Sequence, residues 1–211
     1  MAEFPLPEQY SDFDTPYKNT EWVNYESDRT ALDYFDFALK DFESGDGERF
    51  KINAFSNAKR ALHLQVETLA NAFGFKKAFN NKTPNFHDYL KYCNKCGVIT
   101  PRILKKLNKI RNAVEHDYYS PTKDEVENII DVVELFLAAT ERYIFQFPVE
   151  LEFLPFKFEN DNLPRINAIK ISANSGVLTL SLDNGGGLSV DSKEDNFFIW
   201  LKHLNFAMYR N

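Results

Sequence analysis

The stretch ERFKINAFSNAKRALHLQVETLANAF, residues 48–73, decides the fold class of this chain. Its apolar side chains recur every three or four positions and so form one stripe along a helix: Phe55, Ala58, Leu62, Val66, Leu69 and Phe73. Gly74 follows at once and supplies the left-handed residue that commonly ends a helix. The pattern therefore predicts a long amphipathic helix with one buried face.

The same spacing predicts further helices on both sides of this stretch. Upstream, a helix begins near Ser27 or Asp28 and ends at the glycine loop 44–47. Downstream, a short helix is predicted over 85–96, another begins at Thr100-Pro101, and a capping box at 122–125 opens a last long helix. We therefore expect a mainly α protein, with a four-helix up-and-down bundle over residues 27–147 and an arm over residues 1–26.

After Phe147-Pro148 the apolar period changes from about four to two. Residues 177–182, VLTLSL, alternate as a half-buried strand does, and Ile166–Ile171 and Leu188–Val190 are further strand candidates. The glycine-rich stretch 183–187 is predicted to be a hairpin turn, and FFIWL at 197–201 fits a closing helix or a strand. Residues 148–211 are therefore predicted to form a small α+β module.

Composition indicates a folded protein without a membrane span. The 211 residues are 44% hydrophobic and 27% charged, and no apolar run approaches the roughly 20 residues that cross a bilayer. The first residues are acidic and lack the apolar core of a secretion signal, so a cytoplasmic location is expected. The net charge of -6 argues against a surface coated with basic groups for non-specific binding of nucleic acid.

Positive charge is nevertheless concentrated in residues 100–114, which contain no acidic residue. Arg102, Lys105 and Lys109 are spaced three and four apart and therefore line one side of a helix. One interpretation is that they track the phosphate backbone of RNA. The alternative is a solvated helix face that is balanced by acidic neighbours elsewhere.

The basic stretch leads into RNAVEH at 111–116, which sets Arg111 and His116 five positions apart. Arginine is a permanent cation whose planar fork matches a phosphate, and histidine can exchange protons near neutral pH. Five positions turn a side chain by about 500° on a continuous helix, so the two side chains point some 140° apart. Either the helix breaks near the motif or two protomers together line one cleft.

Two neighbours of this pair are placed to orient it. Asn112 and His116 are four positions apart, and so are Arg111 and Glu115, which is the spacing at which helical side chains touch. The non-catalytic alternative is an Arg111–Glu115 ion pair and a histidine that interacts with the end of a helix.

Residues 101–147 resemble the RNase-type HEPN (higher eukaryotes and prokaryotes nucleotide-binding) domain, whose signature is Arg, a polar residue and then His a few positions later. Arg111, Asn112 and His116 match that signature. The resemblance implies a metal-independent endoribonuclease, with RNA as substrate and no cofactor, in a toxin-antitoxin or phage-defence setting. It also implies a homodimer with a shared cleft. The alternative is a relative that binds nucleotides or proteins, or only dimerises, without cutting.

Tyr118 extends the resemblance to HEPN toxins that pair with nucleotidyltransferase antitoxins, in which the matching tyrosine can be adenylylated. Such an antitoxin, or another defence partner, is thereby implied. The alternative for Tyr118 is an ordinary tyrosine at the edge of the core, which the greater length of this chain favours.

No metal site is predicted. Cys93 and Cys96, with His87 upstream, fall short of the four ligands that a structural zinc needs, and no second cysteine pair follows. Buried thiols at the end of a short helix are the expected explanation.

Overall fold

The computed structural model describes residues 4–10, 17–79, 83–98, 120–153 and 163–209. An antiparallel hairpin of α1 and α2 forms the centre of its helical layer, and α4 and α5 pack on α2. The helices are α1 (Ala31–Glu43), α2 (Glu48–Ala72), α3 (Phe75–Ala78), α4 (Phe86–Lys95), α5 (Lys123–Thr140), α6 (Arg142–Phe145) and α7 (Asp195–Tyr209).

Side-chain caps explain where three of the helices begin, and α1 begins at Ala31 rather than near the predicted Ser27 or Asp28. Thr30, Asn85 and Thr122 each accept a hydrogen bond from the backbone amide three residues later, and the carboxylate at that position bonds back to the cap. These reciprocal bonds satisfy amides that the first helical turn leaves free. The predictions of α2, α4 and the capping box of α5 are confirmed, while the helix predicted from Pro101 lies outside the described residues.

A five-stranded antiparallel sheet is the second layer, with the strand order β1-β2-β3-β4-β5. Its strands are β1 (Tyr17–Glu21), β2 (Phe147–Glu152), β3 (Ile166–Ile171), β4 (Val177–Leu182) and β5 (Gly187–Asp191). The strands predicted after Pro148 and the hairpin turn at 183–187 are confirmed, since β4 and β5 pair directly across that turn. Strand β1 was not predicted.

The predicted fold class, a four-helix bundle with a small C-terminal module, is wrong: the protein has an α+β fold. Strand β1 comes from the region predicted as an arm and pairs with β2, so the sheet includes both ends of the chain. The sheet also shares its core with the helices. The ring of Phe147 in β2 lies 4.9 Å from that of Phe73 at the end of α2, and both residues are fully buried.

The helical layer and the sheet meet most closely at two glycines. Gly74 ends α2 with φ of +92°, and a Cβ atom there would lie 2.1 Å from the Cα of Gly176, in the turn before β4. Hydrogen bonds join the same two segments: the Asn174 amide donates to the Ala72 carbonyl at 2.8 Å, and the Ser192 hydroxyl donates to the Gly74 carbonyl at 3.2 Å. Only residues without a side chain permit this approach.

The stretch FFIWL is helical rather than extended. It lies in α7, which packs against β2, β4 and β5 and buries Phe197, Trp200 and Leu201. The indole nitrogen of Trp200 donates to the carbonyl of Pro5 at 2.8 Å, so the N-terminal residues are held against α7. Among the described residues, no helix has the length and apolar character needed to cross a lipid bilayer.

Candidate functional site

The predicted catalytic pair falls outside the residues that the structure describes. Residues 99–119 contain Arg111 and His116 together with their predicted neighbours and the predicted RNA-backbone contacts: Asn112, Glu115, Tyr118, Arg102, Lys105 and Lys109. The predictions for all these residues therefore remain predictions. What the structure does define is where the chain leaves this segment at each end.

The two flanking ends lie near opposite ends of α2. On one side, the hydroxyl of Tyr92 in α4 donates to the carbonyl of Phe73 at 2.9 Å, and the carbonyl of Cys96 accepts from Asn205 of α7. On the other side, Lys123 at the start of α5 forms a 2.8 Å ion pair with Asp46, just before α2 begins. Since α2 has 25 residues, these two points are separated by roughly 38 Å at about 1.5 Å per residue.

The two cysteines are buried thiols, as predicted. Cys93 and Cys96 are both fully buried, and the thiol of Cys93 donates to the carbonyl of Val66 at 3.6 Å. Burial raises the pKa of both thiols well above the ordinary value, so they remain protonated near neutral pH. Within the described ranges, no group of three or more His, Cys, Asp or Glu side chains is placed to hold a metal ion.

Two of the described histidines pack against aromatic rings. His63 is half-exposed, and its ring lies 5.3 Å from that of Phe86, where α2 meets α4. His203 packs on Trp200 in α7, and burial lowers its pKa. It therefore stays neutral near pH 7.

A groove of about 200 Å³ opens between α1, α5 and the chain that precedes α1. Most of its lining is apolar and comes from three elements: Leu32, Phe35, Leu137, Ala138, Ile144 and Phe145. Tyr25 and Gln65 add polar atoms, and the carboxylates of Glu134 and Glu141 lie along the α5 side. Apolar concave sites with a few polar groups are typical of binding sites.

A chain of hydrogen bonds fixes the polar side of the groove. The hydroxyl of Tyr25 donates to Gln65 Oε1 at 2.6 Å, Gln65 Nε2 donates to Thr140 Oγ1 at 3.0 Å, and Thr140 donates to the Phe136 carbonyl at 2.8 Å. Gln65 is only 2% exposed, so these bonds satisfy an amide that would be costly to leave unpaired. Burial, together with the nearby carboxylates of Asp33 and Glu141, raises the pKa of Tyr25 to about 12.

Large apolar side chains surround the opening of the groove. Trp22 is 72% exposed and packs edge-on against Phe145, with ring centroids 5.3 Å apart, and Leu32 is 45% exposed. Exposed apolar side chains that cluster beside a concave surface often mark an interaction site. Sequence reasoning missed this groove because Tyr25, Gln65 and Glu134 are far apart in the chain. The feature of the groove that the sequence does show is the row of acidic residues on α5.

The chain was also compared with models of protein families, with curated proteins and with solved structures. None of these comparisons finds a match.

Proposed function

We propose that this protein is a metal-independent endoribonuclease of the HEPN type that acts in the cytoplasm as a homodimer, in a toxin-antitoxin or phage-defence setting. The observation that carries the proposal is the sequence RNAVEH at 111–116, at the end of a stretch with five basic residues and no acidic one. Arg111, Asn112 and His116 are its proposed catalytic residues.

The reaction needs these side chains, the RNA and water. The 2′-hydroxyl attacks phosphorus, a bond from the 2′-oxygen to phosphorus forms, and the bond from phosphorus to the 5′-oxygen breaks. His116 takes the proton of the 2′-hydroxyl or delivers one to the leaving 5′-oxygen, with water supplying the other transfer. Arg111 stabilises the negative charge that builds on the phosphate oxygens. The product is a 2′,3′-cyclic phosphate.

The positions of the flanking residues support a helical setting for the motif. The chain must travel from the Phe73 end of α2, where α4 ends, back to the Asp46 end, where α5 begins. The sequence predicts a helix that begins at Thr100-Pro101, and a helix of 19 residues, about 28 Å long, would cover about three quarters of this separation.

The angle between the two proposed catalytic side chains favours a dimer. On one continuous helix Arg111 and His116 diverge by about 140°, so a single protomer does not aim both at one phosphate. Two protomers related by a two-fold axis bring one pair from each chain to a shared cleft. We expect light scattering to return twice the chain mass of 24.5 kDa.

The test compares wild type with Arg111→Ala and His116→Ala on a 5′-labelled single-stranded RNA in EDTA. Loss of one charge-stabilising or proton-transferring group typically lowers the rate by about 10² to 10⁴. Arg49→Ala is the matched control, because Arg49 is an exposed arginine in the first turn of α2. DNA of the same sequence should remain intact because it lacks the 2′-hydroxyl.

Cleavage in EDTA that ends in a cyclic phosphate and is lost only in the two motif variants would support the proposal. Variants that cut as well as wild type would contradict it. A wild-type protein that cuts no RNA would favour the alternative, a non-catalytic module that binds nucleotides or proteins.

A further inference from the structure

We propose that the groove between α1 and α5 binds a basic amphipathic helix from a partner protein. The groove is defined by Tyr25, Leu32, Phe35, Ala138 and Phe145, with Glu134 and Glu141 along its α5 side. None of these residues belongs to the proposed catalytic motif, so the two proposals are tested by different variants.

Apolar side chains line the groove and surround its opening, and they favour an apolar face on the partner. Phe35 and Leu137 are buried at the base, whereas Leu32 and Trp22 remain 45% and 72% exposed. Trp22 is supported on one side by Phe145 and has its remaining surface in water. A partner helix that inserts one or two apolar side chains would cover these residues, which is how amphipathic helices commonly bind grooves.

The negative charge of α5 favours a partner helix with positive charge. Five exposed acidic residues follow one another along α5 and its end at spacings of three, four, three and seven: Asp124, Glu127, Asp131, Glu134 and Glu141. With about 100° per residue, the last four fall within roughly 80° of one another around the helix, on the side of Ala138. They therefore form an acidic row beside the apolar groove.

Three carboxylates of this acidic row lack an ion pair among the described residues. Within the described part of the chain, no salt bridge involves Asp131, Glu134 or Glu141, and the nearest sequence cation, Arg142, stacks on the rings of Tyr143 and Tyr209. A helix with apolar residues on one face and lysine or arginine beside them would match both features. An acidic helix would place like charges against α5 and would be rejected.

The probe is an 18-residue fluorescein-labelled peptide made of leucine and lysine, with leucine at helical spacing, and binding is read by fluorescence anisotropy. A peptide with glutamate in place of every lysine is the charge control. Glu134→Gln with Glu141→Gln removes two charges from the groove. The matched control, Glu152→Gln with Asp183→Asn, removes two exposed charges at the end of the sheet away from Phe147.

Surface ion pairs are worth about 0.5 kcal/mol each, so the groove double variant should bind about fivefold more weakly than wild type, while the control double variant should not. Leu32→Ser should weaken binding about tenfold, and Ile199→Ser, at a similarly exposed position on α7, should not. Trp22→Ala provides a second apolar variant if Leu32→Ser does not fold, since Trp22 is mostly exposed.

Equal weakening by both double variants would show attraction to net charge alone and would overturn the proposal. So would strong binding of the glutamate peptide, or full binding by Trp22→Ala. If light scattering shows that Trp22→Ala dissociates an oligomer of wild type, the groove holds a second copy of this chain rather than a partner helix, and the proposal is also overturned.

Discussion

Replacement of Gly74 by alanine tests whether the close approach of the helices to the sheet is required for stability. The φ of Gly74 is +92°, and an added Cβ would lie 2.1 Å from the Cα and 2.6 Å from the amide nitrogen of Gly176. A left-handed backbone costs alanine about 1–2 kcal/mol relative to glycine. Overpacking adds about 1–3 kcal/mol, and here the obstacle is backbone, which cannot rotate away.

We therefore expect Gly74→Ala to lower the free energy of unfolding by about 2–5 kcal/mol, with Tm falling by about 2–4 °C per kcal/mol in a chain of this size. Gly185→Ala is the matched control. Gly185 also has a left-handed φ, +78°, but an added Cβ would meet nothing within 4 Å. It should lose only the backbone part, about 1–2 kcal/mol.

The measurement is urea unfolding followed by circular dichroism, with the slope against denaturant checked for constancy. The difference between the two variants isolates the contact with Gly176, because both carry the same backbone cost. If Gly74→Ala and Gly185→Ala are destabilised equally, the contact between α2 and the turn before β4 contributes nothing and the argument from distance is refuted.

Two further predictions concern the groove and the basic segment. Tyr25→Phe leaves the buried Gln65 oxygen without its hydrogen-bond donor. In the same urea assay at pH 7, this should lower the free energy of unfolding by about 1–3 kcal/mol. A change below about 0.5 kcal/mol would count against a stabilising role for this series of hydrogen bonds. The pKa of Tyr25 is raised from 10.0 to about 12. The stabilising contribution of Tyr25 is therefore complete below pH 10 and is lost as the pH rises towards 12. Above pH 10 the stability of Tyr25→Phe should fall less steeply with pH than that of wild type. Replacing Arg102, Lys105 and Lys109 by glutamine should weaken binding to every single-stranded RNA alike and flatten the log-log salt slope by roughly 2, since each lost phosphate contact removes about 0.7. An unchanged slope in a fluorescence titration would mean that this face is simply solvated.

The sequence predicted the local elements better than their assembly. Amphipathic spacing and capping residues fix α2, α4 and α5, because burial of one face and satisfaction of the first amides are local requirements. Strand β1 gave no such signal. All five of its residues are exposed, so its sequence carries no apolar alternation, and it joins the sheet by pairing with β2. That pairing brings the N-terminal region into the sheet, which the sequence did not predict.

The two candidate sites also differ in how far the sequence predicts them. Arg111 and His116 are close in sequence, so their chemistry can be read as a motif. The groove brings together Tyr25, Gln65 and Glu134, and only the packing of α1, α2 and α5 makes them neighbours. Long-range contacts of that kind leave no local pattern.

Strand β1, at the edge of the sheet, is synthesised long before β2, the strand with which it pairs. Tyr17 pairs with Glu152, a separation of 152 − 17 = 135 residues. At translation rates of about 5–20 residues per second, β1 is synthesised roughly 7–27 s before its partner. During that wait Lys18, Asn19, Thr20 and Glu21 keep the segment polar. A charged, hydrophilic strand stays in water instead of adding to the sheets of neighbouring nascent chains.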